Sequence, residues 1–347
     1  MRHLKRKYEQ DFLERFKGTD EGEVEQYLGC EFVRNREART GELRQSAYAQ
    51  RVLKRFDMQD CVPVKTPLEP GYRLTKEDCP DMVDAELQRK FRILTGSIGY
   101  LAQMSRPDLA FAYNELSKFV QYPGDAHWKA GLRVLQYLKG TTDLGIKWHD
   151  PGQGKRDTLE AYVDSDFAAC KDTRRSQTGY LVVCNGGPVS WSAKRQAQTT
   201  ISSAEAEFVA ASQCGVELLY TRALIRDLGY EQKHPTVVWE DNASTILLSE
   251  NPVNRQASRH IDTRIHFLRD LVSDKVMVLR KCAGTNNPSD ALTKSVPGPT
   301  LAKHREFLMG TDNPFIALQS CLNEPTGDYV RGQDVPFAKA YINPQIG

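Results

Sequence analysis

Residues 159–170 read LEAYVDSDFAAC, and the reading of this run decides the fold. Leu159, Ala161, Tyr162 and Val163 suit an extended, largely buried strand that ends in an acid, Asp164. Two further strand-like runs, 179–184 and 188–194, follow at hairpin spacing, so all three are expected to pair antiparallel. A long helix is expected over 204–228, stopped by Gly229, and a short β run over 236–240. Beyond these come a helix after Asn242, a helix over 260–272, a strand over 276–280 and a helix opening near Pro288. Strands separated by helices usually pair in parallel. The expected object is therefore α/β: a mixed five-stranded sheet flanked by helices.

Upstream, the sequence changes character at HDPGQGKRD (149–157), a Gly/Pro/charge linker taken as a domain boundary. Residues 86–140 carry helical periodicity. Pro107 is placed at a helix start, with Leu109, Ala112, Tyr113, Leu116 and Val120 at buried-face spacing. A second helix is bracketed by Asp125 as N-cap and Gly140 just past its end, with Trp128, Leu132 and Leu135 on one side. Residues 1–75 mix charged helix-like pieces with a strand-like run, 27–34, and end in the turn-rich VKTPLEPGYR. The expected organisation is four segments: 1–80, a mostly helical 81–150, the sheet domain 155–300, and a tail, 301–347.

Composition narrows the function classes. With 347 residues, 40% hydrophobic and 27% charged, the chain is an ordinary globular protein rather than a fibrous or disordered one. It has no apolar run near the ~18 residues that span a bilayer, and no apolar stretch follows the basic N-terminus, so neither membrane insertion nor secretion is expected. The eight cysteines are scattered without a CxxC pair, which argues against a zinc or redox site. Net charge is only +2. Its distribution is uneven: residues 171–196 hold five Lys/Arg against one acid, and 251–281 hold seven against three, modest support for a polyanionic partner.

Four acids fall where active sites of sheet proteins gather, at strand ends and helix starts. Asp164 ends the first strand of the sheet domain, Glu207 (SSAEAEF) opens the long helix, Asp241 (VVWEDNAS) closes the fourth strand, and Asp290 (NNPSDALTK) opens the last helix. Carboxylates brought together without a cation would repel and take up protons. A hard, all-oxygen set points to Mg²⁺, or Mn²⁺ as substitute, and a pair of such ions suits phosphodiester hydrolysis.

The stretches YVDSDFA, RRSQTGY, VSWSAKRQ, SSAEAEFVA, EDNAS, RHIDTRIHFLRD and SDALTK, in this order, resemble the ribonuclease H domain that ends the Pol polyprotein of copia-type LTR retrotransposons. YLGCEFVRN and QRVLKRFDMQDCVPVKTPLEP resemble the end of its reverse transcriptase. FRILTGSIGYLAQMSRPDLAFAYNELSKF and HWKAGLRVLQYLKGTTDLGI resemble its thumb and connection region. The resemblance implies a ribonuclease H-like sheet after a reverse transcriptase remnant, and hydrolysis of the RNA strand of an RNA–DNA hybrid with two Mg²⁺ ions. It carries the metal-ligating acids onto Asp164, Glu207, Asp241 and Asp290. Glu207 is preferred over Glu205 because it precedes Phe208-Val209-Ala210, while Asp166 shares the strand face of Asp164 if the strand continues, and is expected either to substitute for it or to support it. Nucleic-acid contacts are expected from Arg174, Arg175, Lys194, Gln196, Asn242 and Arg264. The implied setting is the cytoplasm, within a virus-like particle, or the nucleus.

Two departures accompany the resemblance. The loop KCAGTNNPSD lacks the His that many ribonuclease H domains place before the last Asp, and no Asp-Asp pair of a polymerase palm occurs anywhere, so polymerisation by this chain is not expected. Two other readings remain: a catalytically inactive nucleic-acid-binding remnant, and a subunit docking on the rest of a reverse transcriptase.

Overall fold

Two sheets organise the chain in a computed structural model, which describes residues 11–19, 22–152, 156–250 and 262–311. The first is antiparallel, in the order β1 (Gln26–Tyr27), β2 (Cys30–Asn35), β3 (Thr40–Arg44) and β4 (Gly145–Trp148). The expected 27–34 strand corresponds to β1 and β2, which a turn at Leu28 and Gly29, both with positive φ, folds into a hairpin. Between β3 and β4 lie four helices: α1 (Ser46–Arg55), α2 (Ala85–Met104), α3 (Ala110–Ser117) and α4 (Asp125–Lys139).

Helix boundaries follow local chemistry. Asp84 caps α2 by accepting from the backbone N–H of Glu86 and Leu87 at 2.8 and 3.2 Å. The cap of α4 is Gly124 rather than Asp125, whose carboxylate instead stands in the first turn, at the positive end of the helix. Its buried face centres on Gly131, Val134, Leu135 and Leu138, with Trp128 and Leu132 at the margin. Arg106 and Asp108, both buried, form a two-pronged ion pair at 2.9 and 2.8 Å. Tyr137 Oη donates to Asp108 at 2.7 Å, so the charge pair is fully hydrogen-bonded.

The second sheet has the order β7-β6-β5-β8-β9, with β5 (Leu159–Asp166), β6 (Gln177–Cys184), β7 (Gly187–Arg195), β8 (Thr236–Glu240) and β9 (Met277–Lys281). β5, β6 and β7 pair antiparallel, while β8 joins β5 and β9 joins β8 in parallel. This is the expected mixed five-stranded sheet, with β5 and β6 each running two residues further at the Asp166–Gln177 end. Its helices are α5 (Ser203–Asp227), α6 (Ala243–Glu250), α7 (Asp262–Ser273), α8 (Asp290–Thr293) and α9 (Gly298–Met309). Residues 260 and 261 of the expected 260–272 helix lie outside the described residues.

The pleat divides the strands between two cores. Ala161 and Val163 face α5, packing with Phe208, Ala211, Cys214, Leu218 and Val238. Tyr162 belongs instead to a larger core that includes Leu94, Ile98, Leu135, Leu138, Leu292 and Leu308. That core joins both halves of the sequence, and Trp191 of β7 adds an indole N–H bond to the Ala102 carbonyl at 2.8 Å. The buried α9 also shows that ordered structure runs well past residue 301.

Gly179 is the β6 residue opposite Asp164. A Cβ there would lie 2.7 Å from Thr293 Cγ2, 2.9 Å from Leu292 Cβ and 2.9 Å from the Ser289 carbonyl oxygen. The missing side chain is what lets α8 lie against the sheet beside Asp164. Gly179→Ala is expected to destabilise the chain by about 1–3 kcal/mol in urea unfolding, although alanine ordinarily suits a strand better than glycine. A neutral or stabilising effect would show that α8 does not pack there.

Candidate metal centre

Register builds the site. Tyr162 stands beside Trp239 in the parallel β5–β8 pair; Asp164 lies two residues further along β5, on the face of Tyr162, and Asp241 directly follows the last residue of β8. Glu207 arrives from the second turn of α5, whose N-terminus is fixed by Ser202 Oγ accepting from the Glu205 N–H at 3.1 Å. One carboxylate oxygen from each of Asp164, Glu207 and Asp241 lies within 4.8 Å of the other two. Asp164 and Glu207 are buried, at 3% and 6% exposure, whereas Asp241 is half-buried.

Asp290 adjoins this trio without entering it. Its Oδ1 lies 2.8 Å from Lys294 Nζ one turn along, while the Thr293 hydroxyl between them donates to Asp164 Oδ2. The loop before α8 is tied to the sheet by Asn287 Nδ2, which donates to the Val163 carbonyl at 2.7 Å. Gly284 is packed so near Asp241 that a Cβ would fall 2.9 Å from Oδ2. The Glu205 carboxylate turns back to its own helix start and accepts from the Ile201 N–H at 2.7 Å.

A fifth acid, Glu240, was not among the expected residues. It is fully buried and accepts from the Asn242 N–H at 2.9 Å through Oε1. Its Oε2, like that of Glu207, has no hydrogen-bond partner among the described residues. The alternation of β8 explains it: Thr236, Val238 and Glu240 all point inward, so Glu240 faces the α5 side while Asp241 faces Asp164. The available signal was that inward alternation; a carboxylate at a core position is rare enough to be passed over.

Burial is the main reason these carboxyls hold protons. It pushes Asp164 up to about 7, helped by the charge of Asp290 and opposed by Lys294 and Thr293. Glu207 moves well upward through burial and then the charges of Glu240, Asp164 and Asp241. Glu240 rises to about 8 through burial and neighbouring acids, opposed by the Asn242 N–H bond. For Lys294, burial works downward, but Asp164 and Asp290 prevail and hold the ammonium above its ordinary value. A hard divalent cation fits this donor set, because it would neutralise the acids and use the unpaired Glu207 oxygen.

The expected nucleic-acid contacts are placed differently from one another. Arg174 and Lys194 are exposed, and Arg175 and Arg264 half-buried. Asn242 caps α6, accepting from Ser244 and Thr245 N–H at 2.9 and 3.3 Å. Gln196 is buried, and its Nε2 donates to Thr178 Oγ1 and the Ala206 carbonyl at 3.1 and 2.9 Å. No helix among the described residues is long and apolar enough to cross a membrane.

Comparison with known proteins adds relatives. The chain is 37% identical over 292 residues to the retrovirus-related Pol polyprotein from transposon TNT 1-94 of Nicotiana tabacum, covering 83% of this chain and 22% of the relative. It is 34% identical over 281 residues to the corresponding polyprotein from transposon RE2 of Arabidopsis thaliana, covering 81% and 19%. An uncharacterized mitochondrial protein of Arabidopsis thaliana is 33% identical over 210 residues, covering 60% of this chain and 82% of that protein. The chain thus spans about a fifth of the two polyproteins. No family model matches it. Among solved structures, an RNase H1 isolated from compost has a TM-score of 0.32 at 13% identity, covering 40% of this chain and 93% of that one. A foamy viral protease-reverse transcriptase in complex with RNA/DNA hybrid has a TM-score of 0.38 at 11% identity, covering 75% and 29%.

Because the folded-state values of Asp164 and Glu240 lie above those of an unfolded chain, the folded chain holds protons more tightly. The stability they contribute is full at low pH and is lost as pH rises through about 7 and 8. In chelator, the thermal midpoint is expected to fall between about pH 6 and about pH 9, and Mg²⁺ to restore more of it at the upper end. A midpoint that rises with pH in chelator would contradict the burial of these acids.

Proposed function

The chain belongs to the retrovirus-related Pol polyproteins of copia-type transposons, matching their C-terminal part, and from that premise we propose that it is a ribonuclease H-type nuclease. It hydrolyses the RNA strand of RNA–DNA hybrids with two divalent cations, Mg²⁺ in the first place and Mn²⁺ as substitute. One observation carries the reading: three carboxylate oxygens from Asp164, Glu207 and Asp241 converge within 4.8 Å. Asp290 completes the set from beside Asp164.

Bound there, the cations would lower the pKa of an attacking water and neutralise charge on the departing 3′ oxygen. The protein's own residues do the positioning. Asp164 is held by β5, Asp241 directly follows the neighbouring β8, and Glu207 is held by a helix packed on that sheet, so the carboxylates meet with little reorganisation. Thr293 fixes one oxygen of Asp164 by hydrogen bonding. Lys294 holds Asp290 with a positive charge that suits a polyanionic substrate. Arg174 and Lys194, exposed on the hairpin side, are the candidates for phosphate contact, and the hybrid's minor groove offers 2′-hydroxyls on one strand only.

The test is cleavage of a labelled RNA–DNA hybrid by the full chain in Mg²⁺. The expected result is cutting of the RNA strand alone, leaving 5′-phosphate and 3′-hydroxyl ends, with Asp164→Asn and Asp241→Asn each losing at least about 100-fold in rate. A folded wild type that binds the hybrid and leaves it intact in both Mg²⁺ and Mn²⁺ would overturn the reading in favour of a binding remnant.

A further inference from the structure

An arginine from the turn-rich segment before α2 reaches the strand that carries Asp164. Arg73 lies in TPLEPGYRL (66–74), far upstream of the sheet it touches. Its guanidinium donates to Asp166 Oδ2, lies 3.8 Å from Glu115 Oε1 of α3, and stands over the Phe111 ring at 5.1 Å from the centroid. The Arg73, Glu115 and Asp166 side chains are 15%, 4% and 28% exposed, so the contact is partly enclosed. Lys118 holds Glu115 in turn. The segment around Arg73 is fastened at two more points: Lys76 N–H donates to Asp172 Oδ1 at 3.0 Å, and Ser295 Oγ, just after α8, donates to the Glu69 carbonyl.

Asp166 is two residues beyond Asp164 on β5, on the same face, yet it is not one of the three converging carboxylates. Left without its partner, it would be a mobile negative charge at the edge of the centre, able to turn inward and compete for a cation. Arg73 prevents this by spanning Asp166 and Glu115, a geometry that suits the planar fork of a guanidinium and not a point charge.

We propose that Arg73 is a positioning residue of the metal centre: it anchors Asp166 at the rim, cancels its charge, and makes the segment around residues 66–78 part of the site. This rests on reading Asp164, Glu207 and Asp241 as cation ligands.

The experiment compares the full-length wild type, Arg73→Ala, Asp166→Asn and the double variant. It measures hybrid cleavage (kcat and KM), Mn²⁺ affinity by calorimetry, and thermal midpoints to establish folding. Arg73→Ala is expected to lower kcat about 10-fold with KM for the hybrid within about twofold, and to tighten Mn²⁺ binding as the released carboxylate captures the ion. Adding Asp166→Asn removes that carboxylate and is expected to bring kcat back within about threefold of Asp166→Asn alone. A double variant as impaired as Arg73→Ala would overturn the proposal, since a simple packing prop over Phe111 is not rescued this way. Should Arg73→Ala not fold, Arg73→Lys, which keeps the charge and loses the fork, carries the same comparison. If the wild type cleaves nothing yet Arg73→Ala tightens Mn²⁺ and the double variant reverts, the nuclease reading falls and the positioning role stands.

Discussion

The burial of carboxyl groups side by side is the constraint around which this chain is built. Asp164, Glu207 and Glu240 are nearly or fully out of water, with Asp241 and Asp290 beside them. In a low-dielectric setting such a group cannot stay charged without counter-charge or hydrogen bonds. The fold supplies some of both: a hydroxyl from Thr293, an ammonium from Lys294, and a backbone N–H from Asn242. What it does not supply is a partner among the described residues for Glu207 Oε2 or Glu240 Oε2. The remaining electrostatic demand is the physical reason a divalent cation suits this place.

Holding the acids at fixed separation requires rigid supports, and the sheet provides them. Asp164 stands on β5 and Asp241 directly follows β8, and the register of these two adjacent parallel strands is set by backbone bonding, so neither strand can slide past the other without breaking the ladder. The fourth acid depends on an absence: only because residue 179 lacks a side chain can α8 lie against β6 and bring Asp290 and Thr293 to Asp164. Asn287 then ties the incoming loop to the backbone beside Asp164. The acids are thus set by strand register, one glycine and one amide, none of which is itself charged.

Much of this was legible in the sequence, for reasons that differ by element. The strand over 159–166, the helix over 203–227 and the parallel strands 236–240 and 277–281 announce themselves by local periodicity, and acids at their ends follow directly. β3 and β4 were not legible: each is short, and each is made a strand by a partner across the intervening helical region. Helix α9 escaped because its apolar residues, Leu301, Phe307, Leu308 and Met309, do not trace a clean stripe; the helix is enclosed on several sides instead. Gln196 lies around hairpins that resemble the family's substrate-facing surface, which is why it is expected as a contact, yet it is buried and its amide nitrogen donates to a hydroxyl and a carbonyl. Glu240 hid behind its neighbour, since reading Asp241 as the strand-end acid left no reason to look one residue back.

The linker at 149–157 separates two sheets in sequence, but the physical chemistry crosses it. Leu94, Ile98 and Leu138 share a core with Tyr162, Leu181 and Leu292, and Arg305 of α9 donates at 3.3 Å to the same Tyr137 hydroxyl that serves Asp108. Close-packed interiors transmit displacement, so a shift in the helical half is felt at the strand bearing Asp164. The segment upstream of the linker is therefore a structural wall of the carboxylate cluster. That wall packs against Tyr162 of β5 and Leu292 of α8, and so steadies the elements that carry Asp164 and Asp290.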